Sequence, residues 1–171
     1  MRRLFLTIFL IHMAAVAVVF FAMPEKVAVH FNFAGDPNAW GSRLTLTLIS
    51  ALVPIPIFLL FWFGGSLMVR IPAAAINLPN KDYWLSDAMK PTTRAILDRM
   101  LAEMGSVLFL LWLVMYLMIV KANTASPPTG IQSPFLRTAL ALFILFSLLW
   151  CVKFFLVFRR PTAAPPSGRP V

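Results

Sequence analysis

The residues best equipped for chemistry lie in one polar stretch, PEKVAVHFNFAGDPNAWGSR, from Pro24 to Arg43. It carries an imidazole at His30, an amide at Asn32, a carboxylate at Asp36 and an indole at Trp40. An imidazole near a carboxylate is the beginning of a metal site. Zinc, however, usually takes at least three protein ligands, and the chain has only two histidines and one cysteine in all. Two readings stay open for His30, Asn32, Gly35, Asp36, Pro37 and Trp40: they shape the loop by bonding one another, or they form a recognition surface, since binding residues concentrate on loops.

A second patterned stretch, Ile76 to Trp84, reads INLPNKDYW. Asn77, Pro79 and Asn80 favour tight turns, Asp82 adds a carboxylate, and Tyr83 and Trp84 suit the headgroup layer of a bilayer. It serves as an interfacial anchor or as a partner site. His12 stands in the middle of an apolar run, and an ionisable group there is a functional candidate by default. The alternative is a neutral imidazole bonded to a neighbouring helix through Thr45, Thr47 or Ser50. No zinc-hydrolase motif, nucleophile elbow, phosphate-cradling glycine loop or cysteine pair occurs, so neither a catalytic residue, a metal nor a cofactor is expected.

The elements that must hold these groups are read from periodicity. Val27, Val29, Phe31 and Phe33 alternate with Ala28, His30, Asn32 and Ala34, the two-residue period of a half-buried strand. Gly35, Asp36 and Pro37 stop it with a turn, and Trp40 closes the loop near the membrane interface.

The rest of the chain is apolar: 60% of its 171 residues are hydrophobic and 12% charged, far from the mix of a soluble domain. Roughly twenty helical residues span a hydrocarbon core about 30 Å thick. Four runs meet or approach that length, at about 4–23, 44–69, 104–120 and 136–158, the third being short unless the preceding helix extends it. An uncleaved anchor explains the first run better than a signal peptide, because the apolar run continues past Ala15-Val16-Ala17. Pro54 and Pro56 predict a kink in the second. Leu97, Met100, Leu101 and Met104 at helical spacing, with Arg94/Asp98 and Arg99/Glu103 on the polar side, predict an amphipathic helix with a solvated charged face. Lys153 is expected to snorkel to the interface.

Basic residues cluster at the N-terminus (Arg2, Arg3), the middle loop (Arg70, Lys81, Lys90, Arg94, Arg99) and the C-terminal end (Lys153, Arg159, Arg160, Arg169). Lys26, Arg43, Lys121 and Arg137 remain for the other side. The positive-inside rule then puts both termini and a loop over 70–103 in the cytoplasm, and the loop over 24–43 outside. The net charge of +9 follows from this topology and from attraction to anionic lipid, with no nucleic-acid partner required. The expected fold is an all-α integral membrane protein. It is a single polytopic domain over 1–160, a four-helix transmembrane bundle with N-in/C-in topology, a small external loop containing a short strand or turn, and a cytoplasmic amphipathic helix. A disordered proline-rich tail follows over 161–171. Pairing with copies of itself is left open, because no small-xxx-small motif decides it.

Met23 to Asn32 followed by Gly35 to Arg43 resembles the external loop of an uncharacterised bacterial membrane domain, a domain of unknown function found at the N-terminus of SdpI-like toxin-immunity proteins. Ala28 stands where those loops usually carry proline, and Asn77 to Trp84 is similar to a stretch common in stand-alone members. The resemblance implies a multi-pass protein of the bacterial cytoplasmic membrane. Its leading reading is a non-enzymatic receptor or immunity-type protein, whose external loop binds a peptide or envelope component while the inner segment reports to a membrane or cytoplasmic protein partner. The alternative is a small-solute transporter or accessory subunit, built on His12 and the Pro54/Pro56 kink.

Overall fold

The computed structural model describes residues 1–125, 129–131 and 133–159, so the tail over 161–171 lies outside the described residues. Six helices and one hairpin follow in order: α1 (Arg2–Val19, prolonged by a 3-10 turn at Phe20–Ala22), β1 (Lys26–Phe31), β2 (Pro37–Ser42), α2 (Arg43–Leu52), α3 (Pro54–Met68), α4 (Lys81–Trp84), α5 (Lys90–Thr124) and α6 (Ser133–Val157). Four helical stretches are long and apolar enough to cross a membrane: Arg2–Ala22, Arg43–Met68, Lys90–Thr124 and Pro134–Val157. The protein is therefore mostly helical, with apolar helices suited to contact with a lipid bilayer.

The second span is interrupted at Val53, where Pro54 and Pro56 supply no N–H to the helix behind them. Val53 keeps helical dihedrals (φ −66, ψ −40), so hydrogen bonds are lost there without the chain leaving the helical region. α1, α3 and α5 meet around an aromatic stack. Phe9 lies over Phe58 at 4.1 Å, Phe58 over Trp62 at 5.4 Å, and Phe5 stands edge-on to Phe109 at 5.6 Å. Inside lipid there is little hydrophobic drive between helices, so such dispersion contacts and interhelical hydrogen bonds carry the association. α6 is peripheral: none of its apolar window is buried, and Leu142, Leu145, Leu149 and Leu156 are exposed.

One expectation is sharpened and one corrected. The third span, short unless the preceding helix extends it, is so extended: the amphipathic helix expected within the loop over 70–103 and the span expected over 104–120 are one continuous 35-residue helix, α5. At 1.5 Å per residue it is about 52 Å long, well beyond the hydrocarbon thickness. No proline interrupts it after Pro91, and Gly105 continues the helix beneath the Phe5 ring. Its acidic residues are also not a solvated face. Asp98 and Glu103 are only 12% and 15% exposed, and each receives a cation from another helix besides its own i,i+4 arginine: Arg2 of α1 reaches Asp98 and Lys153 of α6 reaches Glu103. Lys153 is thus an interhelical tie, joined by the Trp150 indole N–H donating to the Met100 carbonyl at 3.1 Å.

Candidate functional site

The hairpin pairs β1 and β2 antiparallel, with Lys26 opposite Ser42, Val27 opposite Gly41 and Ala28 opposite Trp40. The register then slips between Ala28 and His30 and again before Phe31, and such a bulge re-aims side chains. The expected alternation holds at His30, which is exposed, and fails at its ends: Ala28 is buried along with Val27, and Phe33 lies past the strand end at 82% exposure. Pro37 opens the second strand, where its missing N–H is tolerated, and Trp40 belongs to that strand instead of closing a loop.

The turn is bonded within itself. Asn32 N–H donates to the Asp36 carbonyl, Asp36 N–H donates to Asn32 Oδ1, and Gly35 N–H donates to the Asn32 carbonyl, all at 2.9 Å. Gly35 has φ +95, and a Cβ there would overlap the Ile131 carbonyl, so glycine is required twice over. His30 donates from Nδ1 to Asn38 Oδ1 at 2.6 Å. Of the six predicted residues, His30, Asn32, Asp36 and Trp40 stay exposed, Gly35 is buried and Pro37 half-buried; Asn32, Gly35 and Asp36 are joined in the turn. Lys26 Nζ stands 5.7 Å from the centre of the Trp40 ring.

What fixes the hairpin to the bundle was not legible in the loop. Asn123, in the last turn of α5 and only 3% exposed, accepts from Ala28 N–H at 2.6 Å and donates to the Ala28 carbonyl at 3.0 Å. Its amide thus pairs with both backbone groups of Ala28 as a neighbouring strand would. The connection after α5 adds Ile131 N–H donating to the Gly35 carbonyl at 2.8 Å. An asparagine closing an apolar helix was the one available signal.

The second stretch sits at the other end of α5. Trp84 is 8% exposed, donates its indole N–H to the Phe158 carbonyl at 3.2 Å, and packs edge-on to the Phe158 ring. Asn80, left-handed at φ 53, donates to the same carbonyl at 3.0 Å, and the Thr93 hydroxyl donates to the Trp84 carbonyl at 2.6 Å. The interfacial-anchor reading is corrected for Trp84: it caps the C-terminal end of α6 and belongs to a core with Ile76, Leu78, Leu97 and Met100. Asn77 and Asp82 are exposed, while Pro79 and Tyr83 are half-buried.

His12 is fully buried, and its Nε2 donates to the Ser50 backbone carbonyl at 2.9 Å. The reason lies four residues on. In an unbroken helix the Ser50 carbonyl would accept from residue 54, but residue 54 is proline. His12 supplies the missing donor from α1, and backbone groups in lipid must be satisfied internally. The expected side-chain partners Thr45, Thr47 and Ser50 are replaced by a carbonyl. His12→Phe should destabilise the bundle by about 1–3 kcal/mol, the cost of an unpaired buried acceptor. In a Pro54→Ala background, where the substituted alanine restores the N–H, the same change should cost much less. Thermal melts of the two singles and the double decide it, and equal costs in both backgrounds would sink the explanation.

Among the described residues no three of His, Cys, Asp and Glu come together to hold a metal. His30 and Asp36 each bond a different asparagine, Asn38 and Asn32.

Residues 7–53 match the family described as Domain of unknown function (DUF1648). The matched segment holds α1 from Thr7, the whole hairpin, α2 and Val53, and so includes His12 and Ser50. Pro54 and Asn123, on which their bonding depends, lie outside it. No curated protein and no solved structure matches the chain.

Proposed function

We propose that the hairpin is a presented binding surface and that the protein is a non-enzymatic, receptor- or immunity-type protein of the bacterial cytoplasmic membrane. On this reading the hairpin faces outward, both termini face the cytoplasm, and the ligand is a peptide or envelope component. One observation carries the reading: Asn32, Asp36 and His30 Nδ1 are spent on bracing the hairpin, while two aromatic rings on it, Phe33 and Trp40, remain 82% and 45% exposed, with Arg137 and Lys26 standing 5.5 and 5.7 Å from their centres. A rigid loop held by Asn123 and Ile131 loses little entropy on binding, and exposed aromatic anchors are the usual energetic centre of an interface. The basic-residue asymmetry supports the orientation.

His30, Asn32 and Asp36 then keep the shape, and Phe33 and Trp40 make the contact. Cells lacking the protein, challenged with peptides secreted by neighbouring cells, should become sensitive. Wild type should rescue them, and Phe33→Ala/Trp40→Ala, with the aromatic pair removed and the turn intact, should not. Full rescue by the double variant would refute the assignment.

A further inference from the structure

A charged cavity of about 470 Å³ opens at the end of the bundle where α1 begins, between the C-terminus of α3 and the first turns of α5. Val69, Pro91 and Ala95 give it apolar walls; Lys90, Arg94 and Asp98 give it charge. The negative charge is engaged through one oxygen, Oδ2, while Oδ1 is buried without a hydrogen-bond partner among the described residues. Asp98 Oδ2 is 3.4 Å from Arg2 and 3.7 Å from Arg94 Nε, and Oδ1 is turned against Gly65. Arg94 is held by Nε alone, which leaves the two terminal nitrogens of its guanidinium fork uncommitted among the described residues. Lys90 donates to Asp87 at 2.8 Å, and that bond holds the Asp87 carboxyl below its ordinary range. The Asp87 side chain is 98% exposed, so the pair is a weak one that another anion can displace.

The location narrows the choice of anion. α5 has 35 residues where roughly twenty cross the hydrocarbon, and the apolar helix α3 ends at Met68, immediately before Val69. Lys90 and Arg94 therefore stand at the depth of lipid phosphates, above walls that match a glycerol backbone. We infer that this cavity binds the phosphate of an anionic phospholipid, with Arg94 and Lys90 donating to its oxygens and the acyl chains running down the lipid-facing sides of α3 and α5. Asp98 is a positioning residue that orients the Arg94 fork. Inorganic phosphate could use the same donors but gains nothing from the apolar walls.

The test uses the full chain, purified and delipidated in mild detergent, with retention of phosphatidylglycerol measured by native mass spectrometry. Phosphatidylcholine and inorganic phosphate are run as separate arms. Wild type should retain phosphatidylglycerol in preference to both. Lys90→Gln/Arg94→Gln should lose about tenfold or more in affinity, as expected for charge-assisted bonds, while Arg159→Gln, an exposed cation, should match wild type. Asp87→Asn leaves both cations in place and removes a competing anion, so it should bind severalfold more tightly, whatever the fate of the double variant. Unchanged retention by the double variant or by Asp87→Asn would overturn the site. Inorganic phosphate binding as tightly as the lipid would overturn the lipid assignment in favour of a soluble anion.

Discussion

Replacing Asn123 with leucine is expected to release the hairpin from the bundle while leaving the helix content close to wild type. Leucine matches asparagine roughly in size and removes all three of its bonds, to Ala28 N–H, to the Ala28 carbonyl and to the Ile119 carbonyl. Ile119 is one turn back on α5, and its loss costs little. The Ala28 groups are different, because Ala28 is 2% exposed and neither water nor another strand replaces the amide. Two orphaned buried backbone groups should cost about 2–5 kcal/mol. The measurement is hydrogen exchange at the Ala28 amide together with a thermal melt. Asn123→Asp keeps the acceptor for Ala28 N–H but loses the donor, so it should fall between leucine and wild type. Wild-type protection of Ala28 in Asn123→Leu would show that packing of Val27 and Leu46 holds the hairpin without Asn123.

Gly65→Ala should be at least as damaging, and its neighbour Gly64→Ala much milder. At Gly65 a Cβ would overlap Asp98 Oδ1 and lie 2.9 Å from the Asp98 backbone nitrogen. A backbone atom inside α5, about two turns from its start, cannot step aside, so α3 and α5 must separate at their crossing. That also disturbs the bonds from Arg2 to Asp98 and to the Trp62 carbonyl, the latter 2.7 Å long. The expected cost is about 3 kcal/mol or more, at the upper end of overpacking. At Gly64 a Cβ meets only the Leu101 Cδ1 methyl at 2.8 Å, which a rotamer change removes, for about 1 kcal/mol. Asp98→Ala in the Gly65→Ala background removes the carboxylate but not the nitrogen, so recovery should be partial. Comparable melting temperatures for the two glycine variants would show that the helices slide apart freely at this point.

Much of the architecture was legible along the chain because it depends on one-dimensional quantities. Apolar length against bilayer thickness marked the four spans, and the prolines at 54 and 56 marked the break at Val53. The extension of the third span by the preceding amphipathic helix was open in the sequence and is decided in the structure: nothing breaks the helix at Gly105, and Phe5 packs on its bare Cα.

The candidate site was legible in its residue types and not in their partners. Asn32, Gly35 and Asp36 are close in sequence, so their turn follows from local chemistry. The backbone groups of Ala28 are met by Asn123, 95 positions away, and no spacing rule connects the two. Trp84 and His12 make the same point. An amphipathic ring near a membrane end and a histidine in an apolar run each have several acceptors in principle, and the carbonyls they use, Phe158 and Ser50, are set by which helices lie side by side.

Composition and run length were therefore enough to identify the solvent: a chain this apolar, with these lengths between its polar loops, belongs in a bilayer as four spans. Which polar groups are free and which are committed emerged only from the way the helices pack. The physical reason is that inside lipid the backbone donors and acceptors must be satisfied within the protein. His12 Nε2, the Asn123 amide and the Trp84 indole N–H are consumed in that pairing, whereas the exposed rings of the hairpin and the Lys90/Arg94 cavity are left to meet something else.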